Sequence, residues 1–243
     1  MRRSILIVGH PRCGSGYMSK LVSCFGLDVG HEKGTCVDGI SNWAFAVEHE
    51  PELKGIPEWA RGGCDWRESF VDFDFCIHHL RNPIDALPSI CVNEICFVND
   101  KPADQWEFKS SFLFRQAYIY RWLGKAIDLA MNLLEVAIQS FLYWNEVIEL
   151  QQPDLVVRVE DGESLVREFL MDKGLIHDPP EGLYDNKKYN SRGNSRYDLS
   201  LSNYASVRPK LLRDLHTFCV RYGYPNFFEQ IQSLGRPPSS LNV

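Results

Sequence analysis

The chain lacks several things that would settle its class at once. Its eight cysteines, Cys13, Cys24, Cys36, Cys64, Cys76, Cys91, Cys96 and Cys219, include no C-x-x-C pair. That excludes a zinc-finger spacing and leaves no disulfide framework. Several stand in apolar stretches, where a free thiol behaves as a small hydrophobe. Reduced thiols and a cytoplasmic, soluble protein are therefore expected. No run of about twenty apolar residues is present, so no membrane span is expected. Met1-Arg2-Arg3 before an apolar run leads into a glycine turn rather than a cleavage site. There is no excess of positive charge: 26 basic residues face 32 acidic ones, for a net charge of −6. This argues against broad nucleic-acid binding, so any anion site must be a local cluster of arginines. There is no internal repeat or low-complexity tract either. With 44% hydrophobic residues over 243 positions, one domain spanning 1–243 can bury a sizeable core, with a helical segment at about 93–150 and a frayed tail at about 235–243.

What is present begins at the first apolar run. Ile5-Leu6-Ile7-Val8 reads as a buried parallel strand. Gly9-His10-Pro11-Arg12-Cys13-Gly14-Ser15-Gly16 follows as a turn. Tyr17 to Phe25 reads as a helix with Met18, Leu21, Val22 and Phe25 on one stripe. Strand, glycine turn and helix start make a phosphate cradle, because backbone N–H groups and the helix N-terminus face the same anion. Gly9 and Gly14 have the spacing of the nucleotide-triphosphate loop G-x-x-x-x-G-K-[ST]. Ser15 stands where its lysine belongs, and Gly16 where its Mg²⁺-binding hydroxyl belongs. The loop therefore suits phosphates without a metal.

The second anchor is Phe73 to Ile90. A strand over Phe75–Leu80 runs into Arg81-Asn82-Pro83, where Asn82 suits a helix N-cap and Pro83 a first helical position. Pro88 is placed to bend that helix. Arg81 falls at the strand's carboxyl end, with Ser89 eight positions on. A local Arg81–Asp85 ion pair is the competing reading.

Together these stretches resemble the sulfotransferases. Pro11-Arg12-Cys13-Gly14-Ser15 is similar to that family's 5′-phosphosulfate loop, P-[KR]-[SC]-G-[ST]. Arg81-Asn82-Pro83 with Asp85 and Ser89 is similar to its 3′-phosphate motif, R-[DN]-P-x-D-x-x-x-S. The resemblance implies that Arg12, Cys13, Gly14, Ser15, Gly16 and Tyr17 bind the 5′ end of 3′-phosphoadenylyl sulfate (PAPS). It implies that Arg81 and Ser89 bind the 3′-phosphate, and that adenosine 3′,5′-bisphosphate (PAP) is the leaving product. It is looser further on. Glu160-Asp161 resembles a structural R-x-E-D-L segment with Gly162 in place of Leu, and Arg192-Gly193 a loop that closes over the donor. No metal site is implied.

The acceptor must lose a proton as its oxygen attacks sulfur. Glu32, at the end of a short extended piece over Gly26–Glu32, matches the family's catalytic glutamate in its distance from the loop. His31 and His49 are the alternatives, His49 opening a polar loop that reaches Glu68. His78 and His79 read as core or strand-end residues. Ser110 to Leu150 reads as mostly helical, with Gly124 as a break or a point of close packing, Leu155–Asp161 as a strand, Gly162–Met171 as a helix and Arg208–Gly223 as a final helix. Trp43, Phe114, Tyr118, Trp122, Phe141, Tyr143 and Trp144 are candidates for an acceptor pocket, against core packing. The expected architecture is a P-loop NTPase-like three-layer α/β fold with a central parallel sheet and a helical acceptor-binding part. The expected activity is sulfuryl transfer from PAPS to a hydroxyl or amine, such as that of a carbohydrate. A degenerate P-loop nucleotide kinase and a non-catalytic nucleotide-binding protein are the alternatives.

Overall fold

Ile5 to Val8 have no solvent-facing side; all four are at most 1% exposed. A strand between two neighbours, covered on both faces, requires this. The computed structural model describes residues 3–32, 36–48, 72–97, 107–177, 199–224 and 226–233. The central sheet consists of β1 (Arg3–Val8), β2 (Val29–His31), β3 (Gly39–Ser41), β4 (Phe73–Leu80) and β7 (Leu155–Arg158). All five are parallel, in the order β2-β3-β1-β4-β7. A two-stranded antiparallel pair, β5 (Cys96–Phe97) and β6 (Glu107–Phe108), stands apart.

Alternation along the strands separates two cores. Ile5, Ile7 and Ile77 face α1 (Ser15–Cys24) and α5 (Glu163–Asp172), packing with Met18, Leu21, Val22, Val166 and Leu170. Leu6, Val8, Cys76 and Leu80 face the other way. They meet α2 (Pro83–Ile90), α3 (Ser110–Leu123), α4 (Leu133–Leu150) and α7 (Pro209–Arg221). The molecule is thus an α/β protein of three layers, sheet between helices. Short helices α6 (Leu201–Ala205) and α8 (Phe227–Ser233) complete the described chain.

Several boundaries differ from the sequence reading, each for a local reason. Helix α1 begins at Ser15 rather than Tyr17, because Gly14 takes the left-handed conformation (φ 105°) and turns the chain directly into the helix. Strand β4 starts at Phe73, paired with Arg3. The long helical stretch splits at Gly124, whose φ of 64° ends α3 while its N–H caps the Tyr120 carbonyl at 2.8 Å. Pro88 lies inside α2 without stopping it. It has no N–H to give the preceding turn, and the helix widens just afterwards into a π-helical turn over Cys91–Ile95. The expected final helix is α7, but α8 follows it.

The strand order reverses between β1 and β4. Strand β1 leads through α1 to β2 on one side, and β4 leads through α2 toward β7 on the other. In an open parallel sheet, the crevice at the carboxyl ends of two such strands is where ligands bind. Both sequence anchors open onto it.

Close pairing of β1 and β3 depends on Gly39, opposite Ile5. A Cβ there would stand 2.3 Å from the Ile5 carbonyl oxygen, an overlap with backbone that cannot swing aside. Gly39→Ala is expected to lower the unfolding free energy by about 1–3 kcal/mol, read as a lower urea midpoint.

Candidate functional site

The turn after β1 is built on two left-handed residues, Arg12 (φ 72°) and Gly14 (φ 105°). For arginine this conformation is unfavourable by about 1–2 kcal/mol, so the surrounding bonds must hold it. One is the Cys13 N–H to the His10 carbonyl, 3.1 Å. Another is the Arg81 guanidinium, whose Nη1 donates to the Arg12 carbonyl oxygen at 3.2 Å. The Arg12 side chain reaches to α2, where its Nε donates to Ser89 Oγ at 3.0 Å. Arg12, Arg81 and Ser89 thus come together at one crevice, although 77 positions separate the first from the last. Arg81 makes no ion pair with Asp85; it turns to the loop instead.

Helix α1 offers its N-terminus to the same crevice. No side chain caps it, and no acidic residue stands in its first turn. Its first N–H groups and the positive end of its dipole remain available to an anion. Ser15 Oγ shares a hydrogen bond of 2.9 Å with His31 Nε2, and Ser41 Oγ donates to the Ser15 carbonyl at 3.0 Å. The ends of β2 and β3 therefore brace the start of α1. Of the two base candidates on β2's exit, His31 faces the loop. Glu32 is exposed and left-handed (φ 55°). Gly16 and Tyr17 lie in the first turn of α1, half-buried. Cys13 is buried, and burial pushes its thiol up to about 12, so it serves the turn through its backbone rather than as a thiolate. Arg192, Gly193 and His49 lie outside the described residues.

The floor under the turn is uncharged. His10 is buried between the Pro11 carbonyl (Nδ1, 2.7 Å) and Ser140 Oγ (Nε2, 3.1 Å). Burial, then the charge of Arg115, holds it well below the usual histidine range. His79 packs against Gly9: a Cβ on Gly9 would stand 2.4 Å from its ring. Neither nitrogen of His79 has a hydrogen-bond partner, and burial takes its pKa down to about 3. His78 is paired with Asn145 Oδ1 at 2.9 Å and lowered by burial to about 4. Both are core residues, as their position on the strand suggested.

The neighbourhood has further members, and the Glu160 segment read as structural is one of them. Glu160 divides its carboxylate between the Asn82 N–H (2.7 Å) and the Tyr224 hydroxyl (3.0 Å), and Asn82 Nδ2 donates to Gln230 Oε1 at 3.0 Å. The loop after β4 is thereby tied to the turn that follows α7 and to α8. Lys109 Nζ donates to the Asn93 carbonyl at 2.5 Å. Arg115, read only as part of a helix, is fully buried with Glu94 beside it. Trp43, Phe114 and Trp144 form an edge-to-face cluster with centroids 5.5 to 6.4 Å apart. All three are under 9% exposed, so core packing accounts for them. Trp122 is 39% exposed.

Among the described residues no group of three or more His, Cys, Asp or Glu is arranged to hold a metal, and no helix is long and apolar enough to cross a membrane. Cys13, Cys24, Cys36, Cys76, Cys91 and Cys219 are free thiols. No family model, curated protein or solved structure matches the chain.

The buried histidines set a pH limit on the fold. Their protons bind more tightly in the unfolded chain, so stability is intact above the ordinary value of 6.5 and is lost as pH falls toward about 4 for His78 and about 3 for His79. Urea unfolding at about pH 5 is expected to lose about 2 kcal/mol per buried histidine relative to neutral pH. His78→Asn should flatten that dependence.

Proposed function

We propose that the protein is a sulfotransferase of P-loop-like fold that moves a sulfuryl group from PAPS to a hydroxyl or amine. One observation carries this reading: Arg12, Arg81 and Ser89, from two distant stretches, meet at the switch point of the sheet beside an uncapped helix N-terminus. A nucleoside triphosphate asks for one polyphosphate cradle, a lysine and a metal-binding hydroxyl. Here Ser15 and Gly16 replace the last two, and a second arginine is supplied instead. A donor with a phosphate at each side of one ribose accounts for both arginines.

In this scheme the Gly14–Tyr17 amides and Arg12 hold the 5′-phosphosulfate and stabilise charge on the departing bridging oxygen. Ser15 adds a hydroxyl at the same end. Arg81 offers a planar fork to the 3′-phosphate and Ser89 a hydroxyl. The family resemblance gives the acceptor's proton to Glu32, with His31 as the neighbour that orders the loop through Ser15. Arg192-Gly193 would close over the donor. A sulfuryl group carries less charge than a terminal phosphoryl, so the chemistry proceeds without a divalent cation.

Calorimetric titration tests the donor site. PAP should bind in the presence of EDTA, and more tightly than ATP with Mg²⁺. Arg81→Ala should weaken PAP by about 10- to 100-fold while leaving adenosine 5′-phosphate nearly unaffected, because only PAP carries the group it grips. Equal weakening of both ligands overturns the Arg81 assignment. A preference for ATP that depends on Mg²⁺ would mark a nucleotide kinase instead.

A further inference from the structure

Pro88 leaves α2 one N–H short, and the turn that follows it widens into π geometry over Cys91–Ile95. Asn93 stands in that turn, and none of the roles above uses it. Its side-chain amide comes back to Ser89. Nδ2 donates to the Ser89 carbonyl at 3.1 Å and lies 3.4 Å from Ser89 Oγ. An asparagine amide carries two N–H groups. One suffices for the carbonyl. The contact to Oγ is at the long end of hydrogen-bond length, and that hydroxyl already accepts from Arg12 Nε at 3.0 Å. The second N–H is thus weakly engaged.

Printed distances run unbroken from this amide to both arginines. Asn93 Nδ2 is 3.4 Å from Ser89 Oγ, Ser89 Oγ is 3.0 Å from Arg12 Nε, and the Arg12 carbonyl is 3.2 Å from Arg81 Nη1. All four residues are half-buried, so each keeps surface for a ligand. Lys109 Nζ on the Asn93 carbonyl, at 2.5 Å, pins the turn and adds positive charge to it. Glu94, the next residue, is engaged with the buried Arg115 at 3.6 Å. A phosphate monoester offers three strong acceptor oxygens. The fork of Arg81 can serve two of them. The third is left for the Ser89 hydroxyl and the second N–H of Asn93.

We propose that Asn93 is a ligand of the donor's 3′-phosphate and helps select nucleotides that carry one. This rests on the sulfotransferase reading above. Asn93 Nδ2 keeps the Ser89 carbonyl and gives its second N–H to a phosphate oxygen, beside the Ser89 hydroxyl. Lys109 holds the turn in place, so the amide is aimed before the ligand arrives and little ordering is required on binding. A nucleotide without a 3′-phosphate makes neither contact. Asn93 therefore acts on the preference for PAP over adenosine 5′-phosphate and leaves the grip on the rest of the nucleotide unchanged. An amide suits this place because it donates without charge, whereas a carboxylate there would repel the phosphate.

The test is calorimetric titration of the full chain with PAP and with adenosine 5′-phosphate. Asn93→Ala should weaken PAP about 10-fold. Asn93→Asp should weaken it at least about 100-fold, through like charge. Both variants should hold adenosine 5′-phosphate within about threefold. Wild-type PAP affinity in Asn93→Asp overturns the assignment. Equal weakening of the two nucleotides also overturns it, because a residue that merely supports the turn would act on both. The wild type supplies a second reading that needs no variant to fold. In ¹⁵N-labelled protein, PAP should shift the side-chain amide protons of Asn93, and adenosine 5′-phosphate should leave them in place. An Asn93 amide that bound PAP does not move overturns the Asn93 proposal alone. A folded wild type that binds no PAP overturns the sulfotransferase reading itself.

Discussion

The parallel register of β1 on β4, with Ile7 beside Ile77 and Val8 beside His78, sets where every later group can stand. It ends two strands side by side and lets the chain leave them in opposite directions around the sheet. The turn after one strand is then within reach of the first residue after the other. Arg81 closes on the Arg12 carbonyl for this reason. A slip of one residue in that pairing would turn Leu6 and Val8 toward the wrong layer and pull Arg81 away from the loop. The apolar alternation that builds the two cores therefore also fixes the spacing of the arginines.

The electrostatics of the crevice follow from what burial neutralises. The protein as a whole is acidic, at −6. Beneath the loop, burial keeps His10 and His79 uncharged and Cys13 protonated. The field above the loop is then set by Arg12, Arg81 and the uncapped start of α1, with the buried Arg115 adding positive charge from below. Two anionic side chains, Glu94 and Glu160, are each engaged: Glu94 with Arg115, and Glu160 with an amide and a phenol.

Much of this was legible in the residues. The run Ile5–Val8, the stripe on α1, and Asn82-Pro83 as a helix start are local patterns. The structure repeats them, down to the Asn82 side chain accepting from the Ile84 N–H. The joint placement of Arg12, Arg81 and Ser89 was implied by two motifs in order rather than by either alone. What was not legible depends on partners far off in the chain. The Glu94–Arg115 pair joins a polar stretch to a helix that reads as amphipathic, and nothing in the spacing links them. Helix α8 is short, and packing against α2, α6 and α7, with the Asn82–Gln230 hydrogen bond, holds it. The choice between His31 and Glu32 as the residue facing the loop turns on one left-handed φ at Glu32, which no periodicity encodes.

Glu160 and Asn82 give the molecule an order of assembly. The loop that follows β4 is held by Tyr224 through Glu160, and by Gln230, which lies 148 positions after Asn82. During synthesis the sheet, the glycine turn and α2 all leave the ribosome well before these two side chains do. A nascent chain can therefore have its parallel strands in place while Arg81 still lacks the support that fixes its loop. The loop that carries Arg81 gains this support only when Tyr224 and α8 have been made and packed, so a ligand has no finished site on the partly made chain.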